Sequence, residues 1–511
     1  MPELVVDGRR VVAGERVTVA AALGNAGVAG LRESVAGERR GVLCAMGICF
    51  ECRVAIDGDA HRRACMELVS EGMVVSTKSD AASRIRPPAP GAAGAASRID
   101  ADVAIVGAGP AGIAAACAAA EGGAQTVVLD EGLGPGGQIH RHRPGSPPPT
   151  AALPWLERLA RSGADVRFGA SVFDAARVGD SAFRLFAETR EGSLEVSARR
   201  LVLATGAREL FLPFPGWTLP GVLGAGGAQA LWKSGADFSG RTAVVAGSGP
   251  LLLPVAASLA KAGARVTFVA EQATAAALAR FTLGLVRTPR KLREAVRYRS
   301  GFAVAPYRTG RWIARALGGD RLEVVVVSDG RRETELACDL LAVGYGLVPN
   351  TELARLLGCE MRGGAVEVDA RQRSSVAGVA CAGEPCGVAG VEAALAEGEV
   401  AGRDAAGCLD ERSARILARR RRSGRRLAAR MASAFRPRRE LAALAEPETV
   451  VCRCEDVPLR SISGCSSARE AKLVSRAGMG PCQGRVCGPA LEFLFGWDSD
   501  TVRPPARPAL L

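Results

Sequence analysis

Long apolar runs, histidines and aromatic side chains are all scarce in this chain. No run of about 18 uncharged apolar residues occurs, which excludes an ordinary membrane-spanning helix. The opening MPELVVDGRR lacks the basic, apolar and small-residue regions of a secretory signal, so a cytoplasmic place is expected. Aromatics make up only 4% of 511 residues, too few for a base-stacking platform, so the net charge of +13 does not read as nucleic-acid binding. With only His61, His140 and His142, each of which reads as ordinary surface polarity, no substrate-deprotonating base stands out.

Glycine, arginine and cysteine are plentiful. The length and 48% hydrophobic content allow roughly three or four domains, each with a core. In a large chain without a signal, fifteen cysteines point to metal binding and not to disulfides. Much of the excess positive charge lies between Arg412 and Arg439, where it reads as a solvated, partly helical connector. The alternative is a patch for an acidic partner or for the inner face of the membrane.

The first residues form strand-like VVDGRRVVAG with a turn at Asp7-Gly8, followed by Thr18 capping a helix over VAAALGNAG. From Ser79 to Asp100 the composition falls to Ala, Pro, Gly and Ser, too little to pack, and predicts a linker. A strand, glycine turn and small-residue helix then occur twice, at ADVAIVGAGPAG and RTAVVAGSGP. The expected layout is a cluster-binding domain over 1–80 and a linker over 81–100. A discontinuous dinucleotide-binding domain follows over 101–405, with a second nucleotide-binding domain inserted at about 235–345. An arginine-rich helical connector over 406–445 leads to a metal-dependent module over 446–511.

Cys44, Cys49, Cys52 and Cys65 form C-x4-C-x2-C-x12-C in a glycine-bearing loop, the ferredoxin spacing for a [2Fe-2S] cluster; zinc more often uses two well-separated short pairs. Near the other end Cys452 and Cys454 (C-x-C) face Cys482 and Cys487 (C-x4-C) across 27 residues, a set suited to a second [2Fe-2S] cluster or to zinc. Cys465, between the pairs, reads as an ordinary core cysteine, as do Cys117, Cys338, Cys359 and Cys408. Cys381 and Cys386 have the C-x4-C spacing of redox-active disulfides but do not follow a GG turn, so no catalytic disulfide is expected.

Gly107, Gly109 and Gly112, with Pro110 and Ala111 between them, make G-x-G-x-x-G after an apolar strand and before a helix, the context for binding a pyrophosphate. Asp130 or Glu131, ending the next strand, stands where a ribose-binding acid belongs. GPGGQI with Gly137 and Gln138, the LVLATGARE segment with Thr205 and Gly206, and the late segment with Gly383 and Glu384 resemble the two-dinucleotide flavoprotein family. That resemblance implies FAD at the first site, with Glu384 in place of the family's Asp. Gly247 and Gly249 repeat the turn, but Leu252 replaces the third glycine. A second adenine nucleotide (NAD or ATP) and a vestigial structural domain both remain open, with Glu271 as a candidate ribose acid.

The cysteine loop over residues 1–80 resembles the ferredoxin-like domains of succinate dehydrogenase and of the small subunit of hydrogen cyanide synthase, which implies a β-grasp fold and one-electron transfer. The CQGRVC loop resembles bacterioferritin-associated ferredoxin. The order of all these segments, with PFPGWTLPGV and GSGPLLL, is similar to a fusion of the small and middle subunits of hydrogen cyanide synthase. It is equally similar to the A subunits of opine oxidase and hydroxyproline dehydrogenase and to the first half of sarcosine oxidase alpha. The resemblance implies an α/β fold with two Rossmann-like domains, a β-grasp domain in front and a small α cluster module behind. It also implies a partner, an amino-acid-oxidase-like flavoprotein beta subunit. Hydride would pass from an amine or imino-acid C–H to flavin, and single electrons through the clusters to a quinone or redox carrier. An NAD(P)H-dependent reductase is the alternative, weakened by Leu252; a redox-sensing or assembly role is the third reading.

Overall fold

The computed structural model describes residues 1–78, 97–179, 182–287, 289–498 and 502–509. Among these residues, Glu3–Val6 and Arg9–Val12 pair antiparallel through a turn in which Asp7 and Gly8 have φ of 48° and 85°, the mirror-image turn that matches strand twist. They join Val74–Ser76, Arg53–Ile56 and Asp59–Arg63 in one mixed sheet. The helix Val19–Asn25 packs on it, with the Thr18 hydroxyl accepting the Ala21 N–H.

The first Rossmann-like unit is built on Ser97–Val106, flanked in parallel by Thr126–Asp130 and Gly192–Leu203, with Asp165–Phe168 and Val379–Cys381 outside them. Its first strand begins at Ser97, where residues 97–100 already pair with 194–197; the earlier part of the expected linker, 79–96, lies outside the described residues. The second unit is a parallel sheet ordered Val222–Gly224, Leu340–Gly344, Thr242–Gly247, Arg265–Glu271 and Tyr307–Thr309. Its chain returns to the first unit through Val379–Cys381 and the helix Val391–Ala405. That helix meets Pro110–Glu121 closely because Gly398 and Gly402, one turn apart, sit on the contact; a Cβ at either would stand 2.0 or 2.2 Å from the Ala111 or Ala115 carbonyl oxygen.

The arginine-rich segment is one helix, Glu411–Ala434, capped by Asp410, which accepts the Ser413 N–H. Leu417 and Gly424 are buried on its inner side, and Arg425 reaches Glu397, so the stretch read as a solvated connector has one docked face. The hairpin Val450–Cys452/Val457–Pro458 and the helices Ala468–Ser475 and Cys487–Phe495 complete the chain. Among the described residues no helix is long and apolar enough to cross a membrane.

Candidate cofactor sites

Ser97–Val106 ends at Gly107, whose φ of 107° turns the chain into the helix Pro110–Glu121. A Cβ on Gly107 would lie 2.3 Å from the Ala204 carbonyl oxygen, and one on Gly112 would lie 1.7 Å from that of Gly107. Strand, turn and helix therefore close only with glycine at both positions. Gly109 has open space; its nearest neighbour to a Cβ would be the Gly137 Cα at 4.0 Å. The helix start thus presents its N–H groups, with Gly109 and Pro110, to a cavity of about 2570 Å³.

The other expected segments line the same cavity: Asp130, Glu131, Gly137, Gln138, Thr205, Gly206, Gly383 and Glu384. Asp130 accepts the Ala108 N–H at 2.5 Å and the Gly132 N–H at 2.7 Å, and its burial raises its pKa. Glu131 differs: against its burial, the guanidiniums of Arg507 and Arg63 hold it down to about 2. Both acids line the cavity, Asp130 held by backbone N–H groups and Glu131 by guanidiniums. Thr205 is fastened by its hydroxyl donating to the Asn350 carbonyl at 2.6 Å, while Asn350 returns an N–H to Thr205 O at 2.9 Å. Gly383 donates its N–H to the fully buried Glu397 at 3.0 Å, and burial raises the pKa of Glu384. Glu397, Arg507 and Asn350 carry no local motif, so sequence reasoning missed them.

The N-terminal cysteine loop forms one wall of this cavity through Met46, Gly47, Ile48 and Phe50. Ala45, Gly47 and Phe50 have φ of 50°, 81° and 57°, which curl the loop so that the N–H groups of Met46 and Cys49 point at the Cys44 sulfur, each at 3.4 Å. Outward carbonyls are pinned by arginines: Arg63 donates to Gly47 O at 2.9 Å, and Arg141, from the flavin unit, to Ala45 O at 3.1 Å. All four thiols are buried. Cys49 donates to Cys44, bringing Cys44 down to about 6, and Cys65 donates to Cys52.

The C-terminal four are buried as well, with Cys487 donating to Cys452 and Cys454 to Cys482. Gly480 admits this approach, since a Cβ there would lie 2.2 Å from the Cys454 Cβ. Cys465 joins neither pair and is half-exposed. Among the described residues no three Cys, His, Asp or Glu side chains gather as a single-ion site. Each set of four therefore gathers as two pairs of thiols.

In the second unit Gly247 has φ of 133° and faces the Gly344 carbonyl, and Gly249 has φ of 101°. The acid is shut away. Glu271 is fully buried and spends its oxygens on the N–H groups of Gly249 (2.9 Å) and Ala273 (2.8 Å). Beside the glycine turn lies the chain that follows the arginine helix: Ser248 Oγ donates to Phe435 O at 2.6 Å, and Gln272 donates to Ser248 Oγ and to Arg436 O. Phe435 packs edge-on against Phe281, ring centroids 5.0 Å apart.

Burial raises Glu271 from an ordinary 4.5 to about 7. A carboxyl that holds its proton more tightly when folded stabilises the native state at low pH, and that contribution is lost as pH rises from about 4.5 to about 7. Unfolding free energy is therefore expected to fall by up to about 3 kcal/mol across this window on account of Glu271. Urea unfolding at several pH values should show a flatter profile for E271Q; an unchanged slope would assign the effect elsewhere.

A glycine cradle at a strand-to-helix turn, an acid at the end of the next strand and a thiol-lined loop on the cavity wall define an FAD-dependent oxidoreductase of two-Rossmann-domain architecture with a [2Fe-2S] domain. The chain belongs to the pyridine nucleotide-disulphide oxidoreductase family, which matches residues 101–398, and residues 3–80 match the 2Fe-2S iron-sulfur cluster binding domain. It is 33% identical over 457 residues to the A subunit of opine oxidase from Rhizobium meliloti (strain 1021), covering 80% of this chain and 97% of that protein. It is 34% identical over 441 residues to hydrogen cyanide synthase subunit HcnB of Pseudomonas aeruginosa, covering 78% and 92%. L-proline dehydrogenase from P. horikoshii shares the fold, with a TM-score of 0.74 over 100% of this chain and 96% of that one at 19% identity.

Proposed function

We propose that this chain is the electron-relaying subunit of a heteromeric dehydrogenase acting on CH–NH or CH–NH2 groups of amino acids or their derivatives. Its partner would be an amino-acid-oxidase-like flavoprotein beta subunit, and its acceptor a quinone or a redox carrier. The substrate class and the partner are suggested by the relatives, the A subunit of opine oxidase and hydrogen cyanide synthase subunit HcnB. FAD, when bound, supplies the conversion of an electron pair into single electrons.

The residues proposed to hold FAD are Gly107, Gly109, Pro110, Ala111, Gly112, Asp130, Gly137, Gln138, Thr205, Gly206, Gly383 and Glu384, with Glu131 positioned by Arg507. Cys44, Cys49, Cys52 and Cys65 hold the first [2Fe-2S] cluster; Cys452, Cys454, Cys482 and Cys487 hold a second in preference to zinc. The corresponding division is 1–80, 101–405 with the insertion at about 235–345, the helical segment 406–445, and 446–511. The outward arginines of Glu411–Ala434 suit an acidic partner or the inner membrane face.

One observation carries the choice against a reductase: the chain after the arginine helix is bonded beside the second glycine turn, Ser248 Oγ donating to Phe435 O and Gln272 to Arg436 O, where it would crowd a second dinucleotide. Gly247 and Gly249 then serve the packing of the unit, and NAD or ATP is not required there. The test is anaerobic titration of the purified chain, followed spectroscopically. NADH alone should leave the flavin oxidised, and an amino acid should bleach it only with the beta subunit present. Rapid bleaching by NADH without a partner would replace this reading with the reductase.

A further inference from the structure

The two cysteine loops come from opposite ends of the chain, yet a buried ion pair joins them. Glu51 stands between Cys49 and Cys52, and Arg453 between Cys452 and Cys454. Arg453 Nε lies 3.0 Å from one oxygen of Glu51, and Arg32 Nη2 lies 2.8 Å from the other. The Glu51 and Arg453 side chains are each 1% exposed. Arg32 also donates to Arg453 O at 3.2 Å, while Arg453 Nη1 donates to Trp217 O at 2.6 Å and stacks its guanidinium on the Trp217 ring. A second pair, Arg40 to Asp456 at 2.7 Å, ties the same two segments together.

Burying three charges is costly, and two arginines around one glutamate leave a net positive charge between two sets of thiolates. Arginine stays protonated in any such setting, so the excess is permanent. Charge in one loop also reaches the other: Arg32 and Glu51 interact electrostatically with Cys454, and Arg453 with Cys49. A cluster held by four thiolates is anionic and becomes more so on reduction, and a fixed positive charge beside it favours the reduced form.

We propose that the Arg32–Glu51–Arg453 triad is the electrostatic bridge of the electron path, docking the two cluster loops on each other and raising the reduction potentials of both clusters together. The triad positions and tunes; it takes no electron itself. This proposal rests on the reading that the C-terminal cysteines hold an iron–sulfur cluster.

The experiment is redox titration of the full-length chain, followed by electron paramagnetic resonance, with iron and acid-labile sulfide measured on each preparation. R453Q removes a positive charge and should lower both potentials, while E51Q removes the negative one and should raise them. Each change is expected at about tenfold in the reduction equilibrium, about 59 mV for a one-electron couple. R453K, which keeps the charge without the planar fork, should stay near the native values. R32Q, outside both cysteine loops, should follow R453Q even if the latter loads poorly. Shifts of one sign in E51Q and R453Q, or no shift in R32Q and E51Q, would overturn the bridge. A native protein with two cysteine-held clusters but unmoved potentials refutes the triad alone. A native protein with zinc at the C-terminal end refutes the two-cluster reading, and the opposite signs are then sought and decided on the N-terminal cluster.

Discussion

Gly112→Ala is expected to yield protein that purifies with little or no flavin and melts at a lower temperature than native protein. The added Cβ would stand 1.7 Å from the Gly107 carbonyl oxygen, which is backbone and cannot swing aside. Gly107 itself is held against the Ala204 carbonyl, so strand and helix must separate. Overpacking of this kind costs about 3 kcal/mol, and if the whole of it falls on the flavin-competent geometry the affinity drops by roughly two orders of magnitude. Gly109→Ala is the informative companion. Its backbone has φ of −74° and its Cβ would meet nothing closer than 4.0 Å. The apoprotein should keep its melting temperature and lose flavin, because the methyl group intrudes only on a bound pyrophosphate. Flavin absorbance and thermal unfolding of both variants check the pair; retention of full flavin by G112A would remove this cradle from the site.

Cys52→Ala and Cys482→Ala should each erase one cluster and leave the other. Alanine is chosen because serine retains a ligating oxygen. In C52A the N-terminal signal disappears, iron falls by about half, and the flavin remains. Electron delivery from flavin to acceptor is then expected to fall to background, because the loop carrying Cys44 to Cys52 is the one that walls the flavin cavity. In C482A, Cys454 loses its paired thiol, and the C-terminal signal goes while the N-terminal one stays. Iron unchanged in C482A, with zinc lost instead, would assign the C-terminal set to a structural metal.

Much of this was legible because the chemistry sits in contiguous segments. G-x-G-x-x-G between a strand and a helix, C-x4-C-x2-C in a glycine loop, and C-x-C with C-x4-C each state a local geometry through residue type and spacing. The Asp7-Gly8 turn and the Thr18 cap followed the same logic, and the structure has both. The arginine-rich stretch shows where local reading falls short. Its charge suggested solvent, but Leu417, Gly424, Leu427 and Met431 recur at helical spacing, and of these Gly424, Leu427 and Met431 line the cavity. The stripe was present in the sequence, masked by the arginines between its members.

Ion pairs across hundreds of residues leave no such trace. Nothing near Glu131 announces Arg507, and nothing near Glu51 announces Arg453, because a charge pair has no preferred separation along the chain. Gly247 and Gly249 make the point from the other side: as sequence they describe a nucleotide turn, and only folding brings Phe435 and Arg436 beside it, bonded to Ser248 and Gln272. Residue type and spacing were enough for the two Rossmann turns, the two thiol sets and hence the flavin and iron–sulfur chemistry, since each depends on backbone geometry within a few residues. How each cavity acid is partnered, what lies against the second turn and how the cluster loops meet were settled only in the folded chain. Those outcomes depend on which distant side chains share a low-dielectric interior, where an unpaired charge is too costly to leave alone.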